Sequence, residues 1–209
     1  MEKQNITPFF QYSEKETAYL SKKDKKLAQI IQQIGKIERT VTPDMFEALM
    51  ESIISQQIST KAAETVTLRF KALLNNEINP ERIAQINHFD IQQCGMTLKK
   101  ASYIKIIADA VLCGKLSLNK FSEMQDQEII DQLVALPGIG VWTAEMLMIF
   151  SLQRPDILSY DDLIIRRAIT HLYGLKELTK EQFNRYKKRY SPYASVASLY
   201  LWRYGNSLK

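Results

Sequence analysis

At 209 residues, 45% hydrophobic and 24% charged, the chain has the composition of a globular protein with one sizeable core or two modest lobes, which excludes a largely disordered polymer. Lys and Arg outnumber Asp and Glu by 28 to 23, and the resulting charge of +5 suits a polyanionic partner without demanding one. Two cysteines, Cys94 and Cys113, are too few for a disulfide framework or a four-cysteine zinc or iron–sulfur site, so a reducing compartment is expected.

From the N-terminus, "MEKQNITPFFQYSEKE" lacks the apolar stretch of a signal peptide, and no apolar run is long enough to cross a bilayer. A soluble, cytoplasmic protein is expected, with residues 1–20 weakly ordered ahead of a helical domain over 21–209. Helix signals then recur and strand signals are scarce. Thr42 can cap a helix whose first position is Pro43, with Phe46, Leu49, Met50, Ile53 and Ile54 on one face. Ser59 offers the next start, with Ala62, Ala63, Val66 and Phe70 on one face, which leaves "SQQIS" at a junction between helices, where function tends to be displayed. Thr97 opens "LKKASYIKIIADAVL", striped by Ala101, Ile104, Ile107, Ala108 and Val111 and stopped by Gly114.

The next helix, "DQEIIDQLVAL", runs into "LPGIGVWTAEML", and "SYDDLIIRRAITHLYG" follows, closed by Gly174. Thr179 with Gln182 matches a capping box, and Ser191-Pro192 begins a final helix ending at Gly205. About ten helices follow from these start and stop signals, without a repeat or low-complexity linker, so the fold class is all-α, one compact helical unit with two lobes.

In the turn, Gly138 and Gly140 lack Cβ atoms and let a backbone or a phosphate approach closely. Pro137 stiffens the entry, Leu136 and Ile139 can pin the two helices, and the N–H groups that start the second helix carry partial positive charge. Such a surface grips an anion through main-chain groups and ignores base identity. By itself "PGIG" reads equally as a tight helix–helix turn whose glycines serve sterics alone. "SKKDKK" and "RYKKR" read either as phosphate contacts or as solvated helix faces. No His, Cys and carboxylate cluster has the spacing of a zinc or iron site.

"LPGIGVWTAEML" resembles the helix-hairpin-helix of the DNA glycosylase superfamily, which places an aspartate at the start of the following helix. "SYDDLIIRRAI" occupies that place, and Asp-Leu-x-Ile-Arg-Arg from Asp162 to Arg167 resembles the branch that removes alkylated bases, the 3-methyladenine DNA glycosylase II type. "FEALMESIISQQISTKAAETVTLRF", "CGMTLKKASYIKIIA" and "SPYASVASLYLWRYG" are similar to family segments in the same order, so the likeness runs over residues 40–205. It implies a two-lobed helical glycosylase with its active site between the lobes, acting as a monomer on double-stranded DNA, nucleoid-associated if bacterial, and not at a membrane. The alternatives are a glycosylase for an oxidised or deaminated base and a non-catalytic DNA-binding protein.

The resemblance selects Asp162 as the carboxylate that stabilises the sugar cation, its ionised form favoured by the helix dipole, and leaves Asp161 as the cap. Alone, both acids read as helix caps. Where strand-cutting relatives carry a lysine nucleophile, Trp142 stands here, which implies hydrolysis without a Schiff base. Trp142, Tyr193, Met146 and Leu163 match base-pocket positions. An indole face suits a cationic alkylated base, whereas Met146 and Leu163 read more readily as core residues. Gln57 falls at the intercalating position, with Gln56 and Ser59 nearby, although glutamines at a helix end are ordinarily solvated. Ile139, Val141 and Thr143 join Gly138 and Gly140 as DNA contacts. Hairpin carbonyls in the family can hold a monovalent cation, so sodium or potassium is allowed and no other cofactor is implied. Ala194 stands where many relatives have arginine. The roughly forty residues before the first strong helix cannot build the additional α/β domain of larger bacterial relatives.

Overall fold

The computed structural model describes residues 9–208. Among these residues are twelve α-helices, one 3-10 helix and an isolated antiparallel bridge between Phe9 and Thr40, with no strand. The fold is all-α as expected, with more helices than the ten inferred, because short capped segments such as residues 80–85 and 88–93 form helices of their own.

α1 (Glu14–Lys23) and α2 (Lys25–Ile34) lie in and just beyond the stretch expected to be weakly ordered. Residues 1–8 lie outside the described residues, but from Ser13 onward the expectation is corrected. The Ser13 hydroxyl accepts from Lys15 N–H, the Glu16 carboxylate accepts from Ser13 N–H, and Leu20 is fully buried. Asp24 ends α1 and caps α2, its Oδ1 accepting from Lys26 N–H and Leu27 N–H at 3.0 Å each. Its Oδ2 accepts from Tyr173 hydroxyl at 2.6 Å and from Arg189 Nη1 at 2.7 Å.

The middle of the chain forms α3 (Met45–Ser55), α4 (Thr60–Leu73), α5 (Pro80–Gln85), α6 (His88–Gln93), α7 (Leu98–Leu112), a 3-10 helix (Leu118–Glu123) and α8 (Asp126–Val134). α3 starts later than expected. Asp44, not Thr42, is its N-cap, because the Asp44 carboxylate accepts from Glu47 N–H at 2.8 Å, while Thr42 Oγ1 pairs with Glu51 at 3.4 Å. Ser59 and Thr97 cap α4 and α7 as expected, accepting from Ala62 N–H and Lys100 N–H. α7 packs on α3, α5 and α6, and its buried Ala101, Ile104, Ile107 and Ala108 face the buried side chains of those helices.

α9 (Val141–Phe150), α10 (Leu163–Tyr173), α11 (Lys180–Tyr190) and α12 (Ala194–Ser207) complete the chain. α10 packs along α12 where Gly205 leaves no room for a side chain: a Cβ there would stand 2.7 Å from Ile164 Cγ2. Arg167 Nη2 donates to Gly205 O at 2.7 Å across the same contact. α12 starts at Ala194 with Tyr193 as its N-cap, beyond the expected Ser191-Pro192, and it runs to Ser207. The cause is Asp156, a loop residue distant in sequence, whose carboxylate accepts from Ala194 N–H and from the Ser191 hydroxyl and so takes over the capping. The helices group into two units, 42–147, and 1–41 with 148–209.

Candidate active site

In the unit spanning 42–147, α8 turns back at once into α9. Leu136 N–H donates to Leu133 O at 3.0 Å and Ile139 N–H to Leu136 O at 3.3 Å. Buried Ile139 and half-buried Leu136 and Pro137 anchor the turn. Its two glycines serve different ends. Gly138 sits at φ +83°, and a Cβ on it would lie 2.6 Å from Cδ2 of Tyr103 on α7, so both backbone angle and packing exclude a side chain. Gly140 is outside the left-handed region and a Cβ would meet nothing within 4 Å. Its glycine leaves the outer face of the turn bare. Exposed Gly138, Gly140, Val141 and Trp142 therefore surround the N-terminus of α9, whose first N–H groups suit an anion. Trp142 is 45% exposed, and half-buried Met146 follows one turn later on the same side of α9; Thr143 is half-buried as well.

The α3–α4 turn belongs to the same unit and is tied to that hairpin. Gln56, expected to contact DNA, is half-buried and ties the turn to the hairpin, with Nε2 donating to Gly138 O at 2.8 Å. Lys100 Nζ donates to Ile54 O at 2.9 Å and to Gln56 O at 2.6 Å, and burial lowers its pKa. Gln57 is exposed at φ +57°, a left-handed conformation that a non-glycine residue adopts at a cost. Ser59 is exposed, and its hydroxyl oxygen caps α4. Neither Lys100 nor Tyr103 stood out in the sequence, since one lies in a common "KK" pair and the other on an amphipathic helix.

In the other unit, Asp162 rather than Asp161 is the N-cap of α10. Its Oδ1 accepts from Ile164 N–H at 3.0 Å and Ile165 N–H at 2.9 Å, and the residue is 6% exposed while Asp161 is exposed. The expected division between a capping Asp161 and a reacting Asp162 is thus corrected: the acid selected by the motif is itself held in place by capping. Leu163 is 75% exposed, which excludes the core role it shared with Met146 in the sequence reading. An open cavity of about 500 Å³ beside it is lined by Arg166, Arg167, His171 and Lys176, among others. Tyr193 is half-buried with its ring edge-on to Tyr19, centroids 5.2 Å apart, and Ala194 is buried. Predicted site residues therefore fall into two sets. The hairpin, Gln56, Gln57, Ser59, Trp142, Thr143 and Met146 are in one unit, and Asp162, Leu163 and Tyr193 in the other.

Among the described residues no group of three or more His, Cys, Asp or Glu side chains could hold a metal ion, both cysteines are free, and no helix is long and apolar enough to cross a membrane. The hairpin offers neutral carbonyl oxygens, of which Gly138 O already accepts one amide.

A bare glycine turn opening one helix and a buried aspartate capping the next are the marks of a helix-hairpin-helix DNA repair protein. The family model described as HhH-GPD superfamily base excision DNA repair protein matches residues 50–192. DNA-3-methyladenine glycosylase 1 of Schizosaccharomyces pombe is 31% identical over 97% of this chain and 90% of its own length. Among solved structures, a DNA-3-methyladenine glycosidase from Bacillus halodurans superposes with a TM-score of 0.86 at 32% identity, covering 96% of this chain and 94% of that one. S. pombe Mag1, a 3-methyladenine DNA glycosylase in complex with abasic DNA, does so with a TM-score of 0.78 at 29% identity, over 90% and 95% of the two chains. The chain belongs to the HhH-GPD superfamily of base excision DNA repair proteins.

Proposed function

We propose that this protein is a monofunctional DNA glycosylase that excises alkylated purines of the 3-methyladenine type from double-stranded DNA, working as a monomer inside the cell and leaving an abasic site. The observation that carries this reading is the Asp162 carboxylate, buried and oriented by two backbone N–H groups at the head of α10, together with an indole at position 142, where an amine nucleophile would otherwise stand. The chain's similarity to a DNA-3-methyladenine glycosylase and a DNA-3-methyladenine glycosidase supports the substrate class.

In this mechanism the N–H groups at the start of α9 bind a backbone phosphate, with Gly140 keeping side chains out of the way. Gln57 enters the stack as the lesion leaves it, filling the gap and offering its amide to the orphaned partner base. Trp142 in one unit and Tyr193 in the other are the electron-rich rings assigned to the extruded base, and a cationic methylated purine gains most from such faces. The bond from C1′ to the base nitrogen breaks with its electron pair going to the base. Asp162 stabilises the positive charge that grows on the sugar, and water adds its oxygen to C1′ and passes its extra proton to the surrounding solvent. A base already alkylated is a good leaving group, so no strong general acid is required. A sodium or potassium ion would be held by main-chain carbonyl oxygens of the hairpin, neutral donors that match a monovalent charge, and would help hold the phosphate.

The test is release of free base from methylated, 8-oxoguanine and hypoxanthine duplexes by the purified protein. Release from the methylated duplex is expected. Release confined to either of the others would reassign the lesion, and tight binding without release from any would leave a DNA-binding protein.

A further inference from the structure

Resting on that glycosylase reading, we propose that Lys100 is a positioning residue: with Gln56 it locks the α3–α4 turn to the hairpin, so that the Gln57 wedge and the phosphate clamp act as one piece. Lys100 sits in the first turn of α7, and its ammonium group donates to Ile54 O and Gln56 O at the end of α3. Those carbonyls are acceptors that the end of a helix leaves without intrahelical partners, and they carry its partial negative charge. The next residue is Gln57, at φ +57°. A left-handed non-glycine residue persists only where its surroundings over-determine it. Lys100 holds the chain on the near side of that residue, and the Ser59 cap of α4 holds it on the far side.

The same turn of α7 also supports the hairpin. Tyr103, three residues after Lys100 and on the same side of the helix, lies under Gly138, whose carbonyl accepts the Gln56 amide. One helix face thus supports both loops, and Gln56 closes the triangle between them. The charge of Lys100 is spent on main-chain carbonyls. Its removal should therefore disturb the wedge while leaving the salt dependence of DNA binding, which counts phosphate contacts, unchanged.

The experiment compares wild type, Lys100→Met, Lys100→Arg, Gln57→Ala and the Lys100→Met/Gln57→Ala double variant. Single-turnover base release from a methylated duplex is measured alongside emission from a 2-aminopurine placed next to the lesion. Lys100→Met should slow release and lower the emission change about tenfold, the loss expected for a hydrogen bond to a charged group. Affinity for undamaged duplex and its salt slope should hold within about twofold. Lys100→Arg should restore most of the loss, and in the Gln57→Ala background Lys100→Met should cost less than about twofold, since a residue acting through the wedge has nothing left to position. An equal loss in both backgrounds, or no loss in either, overturns the assignment. If Lys100→Met fails to fold by its thermal melt, Gln56→Ala, which removes only the amide to Gly138 O, carries the same comparison. A wild type that releases no base from any duplex defeats the glycosylase reading alone, because the 2-aminopurine emission still reports whether Lys100 governs wedge insertion.

Discussion

Replacing Asp162 with asparagine separates the capping that its carboxylate performs from the charge stabilisation proposed for it. Oδ1 accepts two backbone N–H groups at the head of α10, and an asparagine Oδ1 can accept both. Asn and Asp are nearly equivalent N-caps, so the change of cap in Asp162→Asn should cost no more than about 0.5 kcal/mol. The charge is lost entirely. Two unit charges about 4 Å apart attract by roughly 4 kcal/mol at an effective dielectric constant near 20, and the partial charge of a developing sugar cation reduces this to about 2–4 kcal/mol. At a residue only 6% exposed, solvent screens little of that interaction. Single-turnover base release should therefore fall by about 30-fold to 1,000-fold. Asp162→Ala should lose as much rate and the cap besides, costing about 1 kcal/mol and roughly 2–4 °C in Tm. Scanning calorimetry and free-base release on the same preparations read both quantities. An Asp162→Asn enzyme within about threefold of wild type would show that the carboxylate only caps a helix.

Gly138→Ala and Gly140→Ala should part company. The first places a methyl group 2.6 Å from the Tyr103 ring at φ +83° and should cost about 1–3 kcal/mol in urea unfolding, whereas the second meets open space and should weaken duplex binding with Tm nearly unchanged. Trp142→Ala should lower kcat/KM for a cationic methylated purine about 3-fold to 30-fold, and less for a neutral lesion, as competition assays between the two substrates would reveal. At Asp24, burial pushes the carboxyl pKa up, but the Tyr173 hydroxyl, the Leu27 amide and Arg189 outweigh it and hold the group below the ordinary carboxylate range. A depressed folded-state pKa contributes stability that is complete above the unfolded value and lost as pH falls toward the folded one. Asp24→Asn should therefore melt lower than wild type at neutral pH, with the gap in Tm narrowing below about pH 5.

Helix starts set by adjacent residues were legible in the sequence. Ser59, Thr97 and the Thr179–Gln182 pair cap their helices because a short polar side chain reaches an amide two or three residues ahead, an interaction within one turn of chain. Caps supplied from a distance were not. Asp156 moves the start of α12 from Ser191 to Ala194 across a long loop, and nothing near Pro192 announces it. The candidate site divides in the same way. Residue types in register singled out the hairpin, Trp142 and Asp162 as candidates, because the proposed chemistry calls for bare backbone, an electron-rich ring and a carboxylate at given places along the chain.

What the amino-acid order determined by itself is thus the helical fold and the candidate groups of the proposed site, since local hydrogen bonding and apolar periodicity act over a few residues. Only the tertiary structure decided how those groups are held: that Asp162 rather than Asp161 is the cap, that Gly138 lies over Tyr103 while Gly140 faces open space, and that Gln56 and Lys100 fasten the turn carrying Gln57. Each of these joins or distinguishes groups by their surroundings in space, and packing of residues far apart in the chain leaves no periodic trace along it.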